Sequence, residues 1–185
     1  MKARVTGAML LLVATGAEAG DVLAPVQEIM SATRQFWSEQ PGSNTDIFTE
    51  DRLARLYSKD FAEKYRAAAK YPAYDGGRSP FSYDPITNVQ DGCSIEDLTI
   101  AKESDTEGVS DVAVRFNNLK CLGAAPEYAA LNELHFQVRD EEGRTVIDDV
   151  LHKSSDGSMR SMKAELVALE KSGREGQRAP DTDAE

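Results

Sequence analysis

The stretch from Cys93 to Cys121 admits few folds, because two separate patterns in it select one antiparallel register. In Asp97–Ser104, Leu98 and Ile100 alternate with mostly polar residues, and in Ser110–Leu119 Val112, Val114 and Phe116 do the same. Ser104-Asp105-Thr106-Glu107-Gly108 lies between them and is a turn by composition. A register with Ile100 opposite Val114 also sets Leu98 opposite Phe116 and Lys102 opposite Val112. It gathers the apolar side chains of both strands on one face, as a half-buried pair requires. Carried outward, the same register brings Cys93 opposite Cys121. These are the only two cysteines of the chain, and one structural disulfide between them is expected.

The N-terminus has the layout of a secretory leader. Lys2 and Arg4 precede an apolar run from Val5 to Ala14, and small residues follow, ending Ala17-Glu18-Ala19. Residues 1–19 are read as a signal peptide cut after Ala19, leaving a periplasmic or secreted protein. A membrane anchor would need about 20 predominantly apolar residues, more than this run supplies. Export also provides the oxidising compartment that the disulfide needs.

Residues 20–171 have the size of one domain. The formal charge of the whole chain is −11, and removal of the leader makes it one unit more negative. So acidic a chain is a poor partner for nucleic acid or an anionic membrane, where lysine and arginine supply the affinity. With only His135 and His152, and no Cys-x-x-Cys, neither a dedicated metal site nor a cofactor is expected.

Helical periodicity appears at Pro25–Glu39, where Val26, Ile29, Met30, Thr33, Phe36 and Trp37 form one apolar face before Pro41-Gly42 stops the helix. Thr49 is the expected N-cap of a second helix, about Glu50–Lys70, carrying Leu53, Leu56, Tyr57, Phe61, Tyr65 and Ala68; Ser58-Lys59-Asp60 is a candidate break in it. From Tyr71 to Gly92 periodicity vanishes in a proline- and glycine-marked loop, long enough to be either a surface connection or a cover over a cavity. Leu134, Phe136 and Val138 mark a third strand, and Asp140-Glu141-Glu142-Gly143 turns into a fourth, Thr145–Lys153, where Asp148-Asp149 interrupts the alternation as a bulge would. Ser158 to about Lys171 reads as a closing helix with Met159, Met162, Leu166 and Leu169 inward. Residues 172–185 read as a disordered acidic tail. The expected fold is α+β, a curved four-stranded antiparallel sheet packed on N-terminal helices with a C-terminal helix. Phe36 and Trp37 are expected to lie buried against Leu98, Ile100, Val114 and Phe116.

Three segments carry a family likeness: Tyr83-Asp84-Pro85-Ile86-Thr87-Asn88-Val89-Gln90-Asp91, Val146-Ile147-Asp148-Asp149-Val150, and Gly157-Ser158-Met159-Arg160-Ser161-Met162. Together they resemble a family of exported bacterial domains of unknown function. That family is similar to the nuclear-transport-factor-2-like (cystatin-like) superfamily, in which a curved sheet wraps a helix into a cone. Thr145 stands where the family pattern has tryptophan. The resemblance implies a cone-like fold; activity varies widely within the superfold.

The superfamily includes isomerases, dehydratases and epoxide hydrolases working from acids inside the cone. The weak catalytic candidates here are Asp91, Asp148 and Asp149, any of which would need an apolar surround to raise its pKa. The alternative is that Asp91 binds loop amides and one of the pair faces water. Trp37, Tyr57, Phe61 and Tyr65, with Asp91, are the ligand-pocket candidates, against a plain role as core. His135 should lie on the exposed face of its strand. His152 has no serine elbow to serve. The leading expectation is an exported, non-catalytic binding domain of the cell envelope, taking a small ligand in the cone or a protein partner such as a toxin. The alternative is an isomerase- or hydrolase-type enzyme with a buried carboxylate.

Overall fold

The computed structural model of the protein describes residues 21–38 and 45–178. The expected leader and its cut, the Pro41-Gly42 stop and the last residues of the tail lie outside the described residues. The fold is α+β: a five-stranded antiparallel sheet in sequential order, with helices. The elements run α1 (Ala24–Phe36), α2 (Glu50–Leu56), α3 (Lys59–Ala68), β1 (Glu96–Thr106), β2 (Val109–Asn117), α4 (Pro126–Ala129), β3 (Asn132–Glu141), β4 (Arg144–Lys153), β5 (Met159–Ser161) and α5 (Met162–Arg178). A 3₁₀ turn at Lys120–Leu122 precedes α4.

The sheet grows from two hairpins built alike. Each closes on a Glu-Gly pair, Glu107-Gly108 and Glu142-Gly143, with all four residues at positive φ, the backbone that a two-residue turn between right-twisted strands demands. The first strand is therefore longer than its composition implies, since Ser104, Asp105 and Thr106 belong to the ladder rather than to the turn. The expected register holds at its centre, where Ile100 faces Val114 and Lys102 faces Val112. It shifts between Glu96 and Thr99 and again between Lys102 and Ser104. The disulfide Cys93–Cys121 forms, with Cα atoms 5.9 Å apart, although both cysteines lie beyond the ladder. Cys93 is held there because its amide donates to the carbonyl of Asn118 at 2.7 Å.

Between β3 and β4, Gln137 faces Asp149 and Val138 faces Ile147, which leaves Asp148 as the extra residue of the expected bulge. This lets Ile147 and Val150 both enter the core. The core joins Val26, Ile29 and Met30 of α1, Phe61 and Tyr65 of α3, Val112, Val114 and Phe116 of β2, and Leu134, Phe136 and Val138 of β3. Burial of a side chain such as Phe116 stabilises the fold by about 1.5–3 kcal/mol.

The second helix divides at its candidate break into α2 and α3, because Tyr57 and Ser58 adopt extended backbone and the Ser58 amide donates to the Ile147 carbonyl at 2.8 Å. Ser58 then caps α3, accepting from the Phe61 amide. Thr49 caps α2 as expected, accepting from the Arg52 amide. Other expectations are corrected. A fifth strand precedes the last helix. The chain turns at Ser154–Ser158, with Gly157 at positive φ, and returns along β4, so Met159 is an exposed strand residue rather than the first inward residue of a helix. Ser161 caps α5, accepting from the Ala164 amide. That helix continues to Arg178, past the expected end near Lys171. Gly173 within it lies where any Cβ would strike the Tyr71 ring at 2.3 Å, so the start of the long loop is pressed against α5. Finally, Phe36 is 47% exposed and Trp37 is only partly buried, at the C-terminal end of α1. Among the described residues no helix is long and apolar enough to cross a membrane.

Candidate functional site

The long loop after α3 is a built structure despite its lack of periodicity. Asp84 organises it: one carboxylate oxygen accepts from the amides of Ile86 and Thr87 at 2.9 and 2.8 Å, and the backbone bridges Asp84 to Val89. Asn88 supplies the left-handed residue that this turn needs. Pro80, Phe81, Ile86 and Thr87 are buried, so the loop is anchored in the core. His152 of β4 adds a tether, with Nε2 donating to the Pro85 carbonyl at 2.8 Å. Burial lowers its pKa and so favours the neutral ring, an effect that the Pro85 carbonyl partly counters.

Between this loop and the end of α1 opens a cleft of about 710 Å³. Phe36, Trp37, Phe48, Tyr65, Tyr74, Phe81 and Tyr83 wall it, with Arg78, Asp46, Asp84 and Asp91 as its charged groups. The indole Nε1 of Trp37 donates to the second oxygen of Asp84 at 3.0 Å and so fixes one wall to the other. Gly92 permits the approach: a Cβ there would lie 3.0 Å from Asn118 and 3.1 Å from the Trp37 ring. Tyr83 is set by a hydrogen bond from its hydroxyl to Glu165, and burial together with that carboxylate raises its pKa. Burial, then Asp46 and Glu50, likewise raises that of Tyr65. At the mouth, Tyr74 is 61% exposed, and its hydroxyl donates to the Ser82 carbonyl. Among the described residues, the side chains of Arg78 and Asp91 have no hydrogen-bond or ion-pair partner.

The pocket candidates therefore divide. Trp37, Tyr65 and Asp91 line the cleft. Tyr57 and Phe61 do not; they stack on each other inside the core, with ring centroids 4.6 Å apart, and the Tyr57 hydroxyl is buried without a partner. Burial raises its pKa strongly. The acids also part company. Asp149 is buried and binds the start of α5, accepting from the Ser161 hydroxyl and from the Lys163 amide at 3.0 Å. Asp148 joins Lys163 at 2.9 Å and Arg139 at 3.3 Å, in an ion-pair chain that continues through Lys163 to Asp60 of α3. Neither borders the cleft. Asp91 does, but it is exposed.

His135 faces away from the core, as its alternation requires, yet only 12% of its side chain is accessible. Asp111 lies 2.8 Å from Nδ1 and Glu133 lies 3.1 Å from Nε2. Burial opposes charge on the ring, but the carboxylates of Glu133 and Asp111 outweigh it and raise the His135 pKa. In return His135, with Lys153 and Arg115, brings that of Glu133 down to about 2.

The sequence reading missed Phe36, Tyr74, Arg78 and Phe81 as cleft residues. The last three were signalled only by a long loop of mixed aromatic and proline content, whereas Phe36 belongs to the apolar face of α1. In comparisons with protein-family models, curated proteins and solved structures, nothing matches this chain.

Proposed function

We propose that the chain is an exported, non-catalytic binding domain of the cell envelope, a cone of the nuclear-transport-factor-2-like kind. It takes a small ligand in the cleft between α1 and the Tyr71–Gly92 loop. The carrying observation is the cleft itself, about 710 Å³ and lined by seven aromatic side chains, with Arg78 and Asp91 left for the ligand among its charged groups. Pockets for small molecules are apolar concavities with a few placed polar groups. Exposed Phe36 and Tyr74 at the mouth fit an entrance that a ligand would cover. The favoured ligand has an aromatic or aliphatic body and a polar group within reach of Arg78 or Asp91. Asp148 and Asp149 are engaged in holding α5, which favours binding over acid–base chemistry in the cone.

The single tryptophan lies in the cleft wall and reports on occupancy. Anilinonaphthalene sulfonate, an aromatic anion, and an aromatic quaternary ammonium should be titrated against Trp37 fluorescence. Saturable quenching by either, weakened in Tyr74→Ala and in Phe81→Leu, supports the reading. Unsaturable response to both, or saturation unchanged in the variants, overturns it. N-terminal sequencing of envelope material tests export, with Gly20 the expected first residue.

A further inference from the structure

On the outer face of the sheet, three neighbouring strands converge on one point away from the cleft. Glu103 comes from β1, Asp111 from β2 and His135 from β3, and one donor atom of each lies within 4.8 Å of the others. The backbone arranges this meeting. Asp111 and His135 sit one step apart on the outward side of the β2–β3 ladder, where Asp111 faces Gln137 and Ala113 faces His135. Glu103 is the residue at which the β1–β2 register slips, between the Lys102–Val112 and Ser104–Asp111 pairs. Such a bulge re-aims a side chain without breaking the sheet.

We propose that Glu103, Asp111 and His135 form a binding site for a divalent transition-metal ion of the zinc class. Imidazole plus carboxylates is a donor set that zinc accepts, and three protein ligands leave a fourth position open to water. Zinc–nitrogen and zinc–oxygen bonds of about 2.0–2.2 Å place tetrahedral donors about 3.4 Å apart. The three donors lie within 4.8 Å of one another, and Nδ1 and Asp111, 2.8 Å apart, part slightly to admit the ion. The supporting partner is also present. Glu133 lies 3.1 Å from Nε2 of His135, so it can hold that nitrogen as the donor and leave Nδ1, 2.8 Å from Asp111, for the ion. A carboxylate behind the histidine is the usual companion of a metal-bound imidazole. Arg115 pairs with the ligand Glu103 at 2.7 Å and with Glu133 behind the histidine at 3.1 Å, and Lys153 holds Glu133 from β4 at 3.1 Å. Metal binding would exchange the Glu103–Arg115 ion pair for a bond to the ion. Counting histidines misses such a site, because it uses one histidine and draws its other ligands from separate strands.

Isothermal titration of the chelator-stripped protein with zinc chloride near neutral pH tests this. The expected result is one ion per chain with micromolar affinity, lost in His135→Gln and weakened about tenfold or more in Glu133→Gln. His152→Gln serves as the control and should bind as the wild type does. Because His135→Gln also alters a hydrogen-bonded position, its thermal unfolding without zinc should first confirm a folded chain. If it does not fold, the nitrogen resonances of His135 in the wild type decide: a zinc-dependent shift at Nδ1 supports the site. Absence of binding at millimolar zinc, undiminished binding in folded His135→Gln, or unmoved His135 resonances overturns it.

Discussion

The indole nitrogen of Trp37 donates to a carboxylate oxygen of Asp84 at 3.0 Å, joining the end of α1 to a loop 47 positions later in the chain. Asp84 uses its other oxygen to hold the amides of Ile86 and Thr87, so one side chain both shapes the loop and fixes a wall of the cleft.

Asp84→Ala should therefore act on both. Losing an acceptor that serves three donors should cost about 1–3 kcal/mol. Trp37 emission should move to longer wavelength as its ring loosens. A denaturant titration followed by fluorescence reads both effects, and an unchanged spectrum would mean that the indole is held by its ring contacts alone.

Phe116 is fully buried beside Val114 in the sheet core. Phe116→Ala should cost ~3–5 kcal/mol, a lost aromatic plus the cavity it leaves. Chemical denaturation provides the measurement, and a loss well below this range would show that the core collapses around the gap.

Tyr57 presents the opposite case. Its hydroxyl is buried with no partner, and an unpaired buried polar group costs about 1–3 kcal/mol. Tyr57→Phe should leave stability unchanged or raise it, with the Phe61 stacking preserved. A clear loss in melting temperature would reveal a partner for that hydroxyl in solution.

His152 makes stability depend on pH. Its folded pKa lies below the ordinary value of 6.5, through burial, so the folded chain binds fewer protons there than the unfolded chain. The stability linked to the neutral ring is complete above the unfolded pKa and is lost as pH falls through it toward the folded value. The sign for His135 is opposite, since its folded pKa is raised. Comparison of wild type with His152→Gln between about pH 7.5 and about pH 5.5 removes that shared contribution. The wild type should lose more stability than the variant on acidification, and parallel curves would refute the assignment.

Reduction of Cys93–Cys121 opens a loop spanning 28 positions. The chain-entropy model puts the gain from closure at up to ~3–4 kcal/mol. The true loss should be smaller, because the β1–β2 ladder already confines most of that loop. Unfolding of the Cys93→Ser, Cys121→Ser double variant measures it, and mass spectrometry of the unreduced protein should show the linked peptide pair.

What the sequence determined by itself was local. Alternation at Val112, Val114 and Phe116 and at Leu134, Phe136 and Val138 marked the strands, because a pleated chain shows its two faces in turn. The interrupted alternation at Asp148-Asp149 announced the bulge, and the α+β class followed from the order of elements. The last strand escaped, since Met159–Ser161 is too short to show a period and is defined only by pairing with β4. Tertiary structure decided the candidate site. Trp37 and Phe61 both belong to apolar helical stripes, yet one borders the cleft and the other lies in the core. Which it is depends on where the Asp84 turn and the Phe81 anchor meet α1. Asp148 and Asp149 were legible as acids, but their partners, Lys163, Arg139 and the start of α5, come from other elements. Periodicity records which way a side chain points from its own backbone; what waits there is set by contacts between segments distant in sequence.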